Sequence, residues 1–252
     1  GTGGTGGTNG ENRPDGECTV NCDDGGTSSS RDASNDRSAD TGAEAGFDEN
    51  ALPACPAFER PITGAPGGCR AVRFEDQIAT GSDSTCFVTA TGGAKCWGWN
   101  AGGKLGDGTN SSAEAAVDVK GLQRDVVAVA ASSSNGCAVK ADGSLWCWGR
   151  NDEQQLGNSS EPNGPNEFSN VPVRVENMDD ATSVTLGYNT GCVVTRAGGA
   201  KCWGRNLNGE VGNGANTNAG SPVSVTGLTT NVVSVRAGWS FACALTTAGA
   251  IH

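Results

Sequence analysis

The chain has 252 residues, 28 acidic and 17 basic side chains, and a formal charge of −11. That charge excludes a phosphate-neutralising nucleic-acid binder, and no apolar run approaches the roughly 20 residues of a transmembrane helix. The single histidine, His252, leaves no Ser–His–Asp, Cys–His or His-ligated zinc chemistry, while 11 cysteines in a polar chain point to an oxidising compartment.

Residues 1–50 carry 11 acidic and 3 basic side chains, and their first aromatic is Phe47. Such a segment cannot bury enough apolar surface to offset its ordering entropy, so it reads as a disordered Gly/Ser/Asp stalk. Gly1, Gly3 and Gly6 fit G-x-G-x-x-G, but no strand precedes them and no helix follows, so the match reflects composition. Asp15, Glu17, Asp23 and Asp24 lack EF-hand spacing and read as solvated charge rather than a calcium site. With neither initiator methionine nor signal peptide, the sequence is expected to begin inside a longer product, or after processing. A lipid or wall tether upstream of residue 1 would suit a surface protein. Residues 51–73 form a connector containing Cys55 and Cys69.

From residue 74 onward the sequence repeats. Cys86 and Cys96, Cys137 and Cys147, and Cys192 and Cys202 each bracket nine residues and precede Trp-Gly; Cys243 opens a fourth copy. The first cysteines recur at intervals of 51, 55 and 51 residues, the longer interval holding the extra loop at 159–170. Alternating or apolar segments flank each pair: 126–129, 183–186 and 232–235 before it, 116–119, 172–175 and 222–225 after it. Four short strands in about 51 residues make one propeller blade. The expected fold is all-β: three complete four-stranded blades (about 74–119, 126–175 and 181–225) and part of a fourth (232–252).

The cysteine spacing follows from hairpin geometry. Each interval is centred on a three-residue loop ending in glycine (Gly92, Gly143, Gly198), the sequence of a type I turn with a G1 bulge. Counting outward places Cys86 opposite Cys96 at a non-hydrogen-bonded pair, with Cα atoms roughly 4.5 Å apart, at the lower edge of disulfide reach. Cys137–Cys147 and Cys192–Cys202 follow the same rule. The alternative, zinc, lacks a close C-x2-4-C knuckle and histidine. Cys55–Cys69 and Cys18–Cys22 are the expected fourth and fifth bridges. Cys243 asks for a partner at position 253, so the pattern reads as cut inside its fourth blade.

The pattern C-x9-C-W-G-x-N-x4-L-G resembles the regulator of chromosome condensation repeat family. It is carried by Trp97-Gly98-Trp99-Asn100 with Leu105-Gly106, Trp148-Gly149-Arg150-Asn151 with Leu156-Gly157, and Trp203-Gly204-Arg205-Asn206 with Val211-Gly212. The resemblance covers roughly residues 74–252 and implies a β-propeller, commonly of seven blades. The disulfide-bearing form looks like the secreted bacterial branch, in which a related propeller inhibits β-lactamases by protein–protein contact. The histidine that the family often has two residues before the first cysteine is replaced by Ser84, Asn135, Thr190 and Phe241.

Trp97, Trp148 and Trp203 share one repeat position and read as wedges between blades rather than ligand platforms. Variation at equivalent loop positions is more informative. Tyr188, Trp239 and Phe241 stand among small polar residues in the loops before the first cysteine, and Trp99, Arg150 and Arg205 share a second loop position. These six are the candidate partner-binding residues. Asn110 and Asn158 fit the glycosylation pattern. The expectation is an extracytoplasmic, non-enzymatic module, secreted or surface-bound and bacterial, that presents blade loops to a protein or glycan and needs no cofactor or metal. Three alternatives stand beside it: a nucleotide-exchange regulator of a small GTPase by family analogy, a surface structural protein, and an enzyme whose active site lies outside this sequence.

Overall fold

A computed structural model describes residues 59–61, 69–71, 77–159 and 167–252, the first two stretches as backbone only. Strands β1 (Glu59–Pro61) and β2 (Cys69–Ala71) pair antiparallel. Three four-stranded meanders follow. The first blade is β3 (Ile78–Thr80), β4 (Ser84–Val88), β5 (Ala94–Gly98) and β6 (Ala113–Asp118); the second is β7 (Val126–Ala131), β8 (Asn135–Lys140), β9 (Leu145–Arg150) and β10 (Phe168–Arg174). The third is β11 (Ala181–Leu186), β12 (Thr190–Thr195), β13 (Ala200–Gly204) and β14 (Ala219–Ser224). Strands β15 (Val232–Ala237) and β16 (Ala242–Thr246) form a further antiparallel pair, and a bridge between Leu245 and Ile251 begins the next hairpin return. The sheets are blades of a β-propeller.

The hairpin turns set the register. Thr89 N–H donates to Gly93 O at 2.7 Å and Gly92 N–H to Thr89 O at 2.9 Å, with Gly92 at φ 80°, a conformation costly for any residue with a Cβ. Cys86 therefore faces Cys96, and the same count pairs Cys137 with Cys147 and Cys192 with Cys202. In all three the Cα atoms stand 4.1 Å apart and the sulfurs are joined. Cys243 is a half-buried thiol. The Cys18–Cys22 and Cys55–Cys69 pairings, and the acidic stalk, lie outside the residues whose side chains are described. The closing strands start about three residues earlier than hydropathy suggests. Val119, Val175 and Val225 lie just past their ends, where each amide still donates to the neighbouring hairpin (Ala94 O, Leu145 O, Ala200 O).

The core lies between blades rather than within one. One cluster joins Leu105, Val119 and Leu122 of the first blade to Val126, Val129, Ala138 and Trp148 of the second. A larger one runs from the second blade through Trp203 to Val235 and Ala244. Both faces of the middle blades are thus buried, which accounts for the burial of all of β12 and of β8 as far as Val139. No described helix is long and apolar enough to cross a membrane.

Candidate binding face

Two of the repeated tryptophans serve packing. Trp148 and Trp203 are fully buried, and their Nε1–H groups donate across the blade junction to Lys104 O and Gln155 O, each at 2.8 Å. Glycines on both sides make room: a Cβ at Gly136 would stand 2.4 Å from the Trp148 ring, and one at Gly106 2.9 Å from it. Trp97 is half-buried and meets Phe87 edge-on at 5.8 Å, so its strand partner Thr85 can carry a side chain.

The loop after each Trp-Gly is built by its asparagine. Asn100 Oδ1 accepts from Leu105 N–H at 2.9 Å while its amide donates to Thr109 O and Ser111 O. Asn206 repeats the arrangement with Val211, Ala215 and Thr217. The residue before each Leu/Val-Gly is Lys104, Gln155 or Glu210, all buried. Lys104 Nζ donates to Ser133 O at 2.8 Å, and Gln155 Nε2 to Asn189 Oδ1 at 3.1 Å, so both reach the first loop of the following blade. Glu210 turns back: its carboxylate accepts from Asn208 N–H at 2.8 Å and lies 3.7 Å from Arg205 Nε. Burial pushes the Glu210 pKa up, but the Asn208 hydrogen bonds and the Arg205 charge outweigh it and hold the group below its ordinary value. Sequence reasoning missed this row; its signal was a charge that changes sign at one repeat position.

Of the six candidate residues, the structure brings three together, Arg150, Tyr188 and Trp239, and sets a fourth, Phe241, on the same loop as Trp239, where it lines a cavity with Glu210 and Val211. Tyr188 and Trp239 stack face to face, with centroids 4.2 Å apart and planes 4° apart. Arg150 hydrogen-bonds Asp152 and lies beside the Tyr188 hydroxyl; the Asp152 contact, above all, raises its pKa. Phe241 lies over Gly238 in the loop that carries Trp239. Trp239 is 69% and Phe241 61% exposed. The other two go elsewhere: Arg205 is turned toward Glu210, and Trp99 points outward from the first blade, 57% exposed. Phe168, 39% exposed, is cross-strand from Arg150 and was not foreseen. Among the described residues no three His, Cys, Asp or Glu side chains cluster as a metal site.

Comparison with known proteins agrees with this architecture. Two models of the regulator of chromosome condensation (RCC1) repeat match, one at residues 142–194 and 201–245 and the other at 76–103 and 126–155. The human E3 ubiquitin-protein ligase HERC2 is 29% identical over 205 residues, covering 78% of this chain and 4% of the ligase. The Arabidopsis thaliana ultraviolet-B receptor UVR8 is 28% identical over 180 residues, 69% of this chain and 40% of the receptor. Among solved structures, human WBSCR16 superposes with a TM-score of 0.60 at 24% identity, covering 76% of this chain and 52% of that one. Yeast RCC1 (Prp20) bound to Kap60 superposes with a TM-score of 0.59 at 21% identity, covering 69% and 42%. The chain thus spans a minor part of these two curated relatives, and the structural likeness at such identity speaks to fold. With repeat period, meander topology and both repeat models in agreement, the chain belongs to the RCC1 repeat family.

Proposed function

We propose that this chain is a non-enzymatic binding module that works outside the cytoplasm and engages a protein partner through the Arg150–Tyr188–Trp239 patch, with Phe241 on the adjoining loop. The observation that carries the reading is the stacked Tyr188–Trp239 pair, whose tryptophan stays 69% exposed on a constrained loop. Large aromatics and arginine dominate binding energy at interfaces. The loop is held by the Gly238 N–H to Phe241 O bond of 2.8 Å, so little entropy would be lost when a partner docks. Three bridged hairpins support an oxidising compartment. The Kap60 complex of the yeast relative makes protein the favoured partner class.

The test is affinity capture from the extracellular fraction with the wild-type chain and a Tyr188→Ala/Trp239→Ala variant. A protein retained saturably by the wild type and lost with the variant is the expected outcome. Identical capture by both overturns the reading, and a partner removed by glycosidase but not by protease reassigns it to a glycan.

A further inference from the structure

Lys104 is unlike the other members of its row. Gln155 is fully engaged: its amide donates to Asp152 and Asn189 at 3.0 and 3.1 Å, and its carbonyl accepts from Glu153 N–H at 2.9 Å. Glu210 accepts two hydrogen bonds from Asn208 and has Arg205 beside it. The Lys104 side chain is only 5% exposed. Among the described residues its ammonium makes one hydrogen bond, to Ser133 O, and the nearest carboxylate, Asp83, is 3.7 Å away and 62% exposed. An ammonium has three N–H donors, and a charge withdrawn from water needs a close counter-ion and hydrogen bonds.

Lys104 and Ser133 both lie at a cleft. Lys104, Ala101, Ser133, Ser134, Arg150 and Phe168 line a cavity of about 380 Å³ between the first and second blades. The Ser133 hydroxyl in its wall is buried and has no hydrogen-bond partner. Phe168 offers an exposed apolar surface, and among the described residues the exposed Glu167 is the one carboxylate that lines the cleft. Arg150, which is paired with Asp152, links this cleft to the aromatic patch.

We propose that this cleft binds the carboxylate of an acidic side chain, a glutamate or aspartate of a polypeptide partner. One carboxylate oxygen accepts from Lys104 Nζ and the other from Ser133 Oγ, while the neighbouring apolar part of the ligand lies on Phe168. A carboxylate supplies the acceptors that both groups lack; a cation would meet Lys104 and Arg150, and an apolar group would leave both donors unpaired. The inference deepens the partner class of the binding face and rests on that reading only for the partner being a protein.

The test is an amide-resolved NMR titration of the full chain with N-acetyl-glutamate N-methylamide, with the glutamine analogue as control. Saturable shifts at Gly102, Ser133 and Ser134 are expected with the glutamate compound and not with glutamine. Lys104→Met and Ser133→Ala should each weaken that binding, the first at least tenfold, while Lys95→Met leaves it unchanged. Equal shifts with glutamine, equal binding of inorganic phosphate, or wild-type affinity in either folded variant overturns the proposal. Its failure alongside continued dependence of capture on Trp239 would remove the carboxylate site and leave the binding face standing.

Discussion

Trp203→Ala tests whether the blade junctions hold the molecule together. The indole is fully buried, and Nε1 donates to Gln155 O at 2.8 Å. A tryptophan withdraws about 200 Å² from water, or about 5 kcal/mol at roughly 25 cal/mol per Å². Large-to-small substitutions of buried aromatics cost about 3–5 kcal/mol, so about 4–5 kcal/mol is expected here, because the ring is enclosed by two blades and the Gln155 carbonyl loses its donor. Trp97, half-buried and edge-on to Phe87, should cost about half as much when truncated. Trp203→Phe keeps an aromatic ring but removes the donor, and should fall between the two. Urea unfolding followed by far-ultraviolet circular dichroism measures all three without relying on tryptophan emission. If Trp97→Ala and Trp203→Ala lower the midpoint equally, junction packing does not set the stability and the reasoning fails.

Three further outcomes are expected. Gly136→Ala, whose Cβ would meet the Trp148 ring at 2.4 Å, should cost about 2–3 kcal/mol, against about 1 kcal/mol for Gly102→Ala, which has open space but φ 71°; thermal denaturation of both compares them. Because the folded pKa of Glu210 is depressed, its stabilisation is complete above the unfolded value of about 4.3 and disappears as pH falls through the folded value. Glu210→Gln should therefore flatten the acid limb of stability against pH, with no change of slope above pH ~6. Replacing Cys192 and Cys202 together by alanine reopens a loop of about 11 residues and should cost roughly 2.5–3 kcal/mol on the chain-entropy model, seen as a lower denaturant midpoint.

Most of the scaffold was legible because it is local. Nine residues between cysteines, with glycine closing a three-residue loop, leave one hairpin register, and Gly92, Gly143 and Gly198 all take the positive φ that it needs. The closing strands were placed late because their first residues, such as Ala113-Glu114 and Ala219-Gly220, show no alternation and pair only through a bulge next to Gly98 and Gly204. The site was legible by position but not by pose. Trp99, Arg150 and Arg205 share one repeat position and part ways because of what lies beside each: Asp152 and Tyr188 draw Arg150 to the patch, Glu210 draws Arg205 inward, and Trp99 turns outward. Lys104 went unnoticed because the Leu-Gly after it dominates the repeat, and its burial beside the next blade appears only once Ser133 and Asp83 are placed around it.

The bridges and the binding face share the same strands. Cys192–Cys202 lies two pairs along the β12–β13 ladder from Thr190 and Gly204, where the loop carrying Tyr188 enters the sheet and the loop opened by Arg205 leaves it. Cys137–Cys147 stands in the same relation to Asn135 and Gly149, between the loop holding Ser133 and the strand end holding Arg150. Each bridge therefore fixes the base of two loops that meet at the face, and backbone bonds such as Arg205 N–H to Asn189 O at 2.9 Å carry that constraint outward. A cross-link so placed limits relative motion of the recognition loops in the native state as well as loop entropy in the unfolded chain. Reduction should then weaken partner binding under conditions where the sheets remain folded, a separation that a bridge acting on global stability alone would not produce.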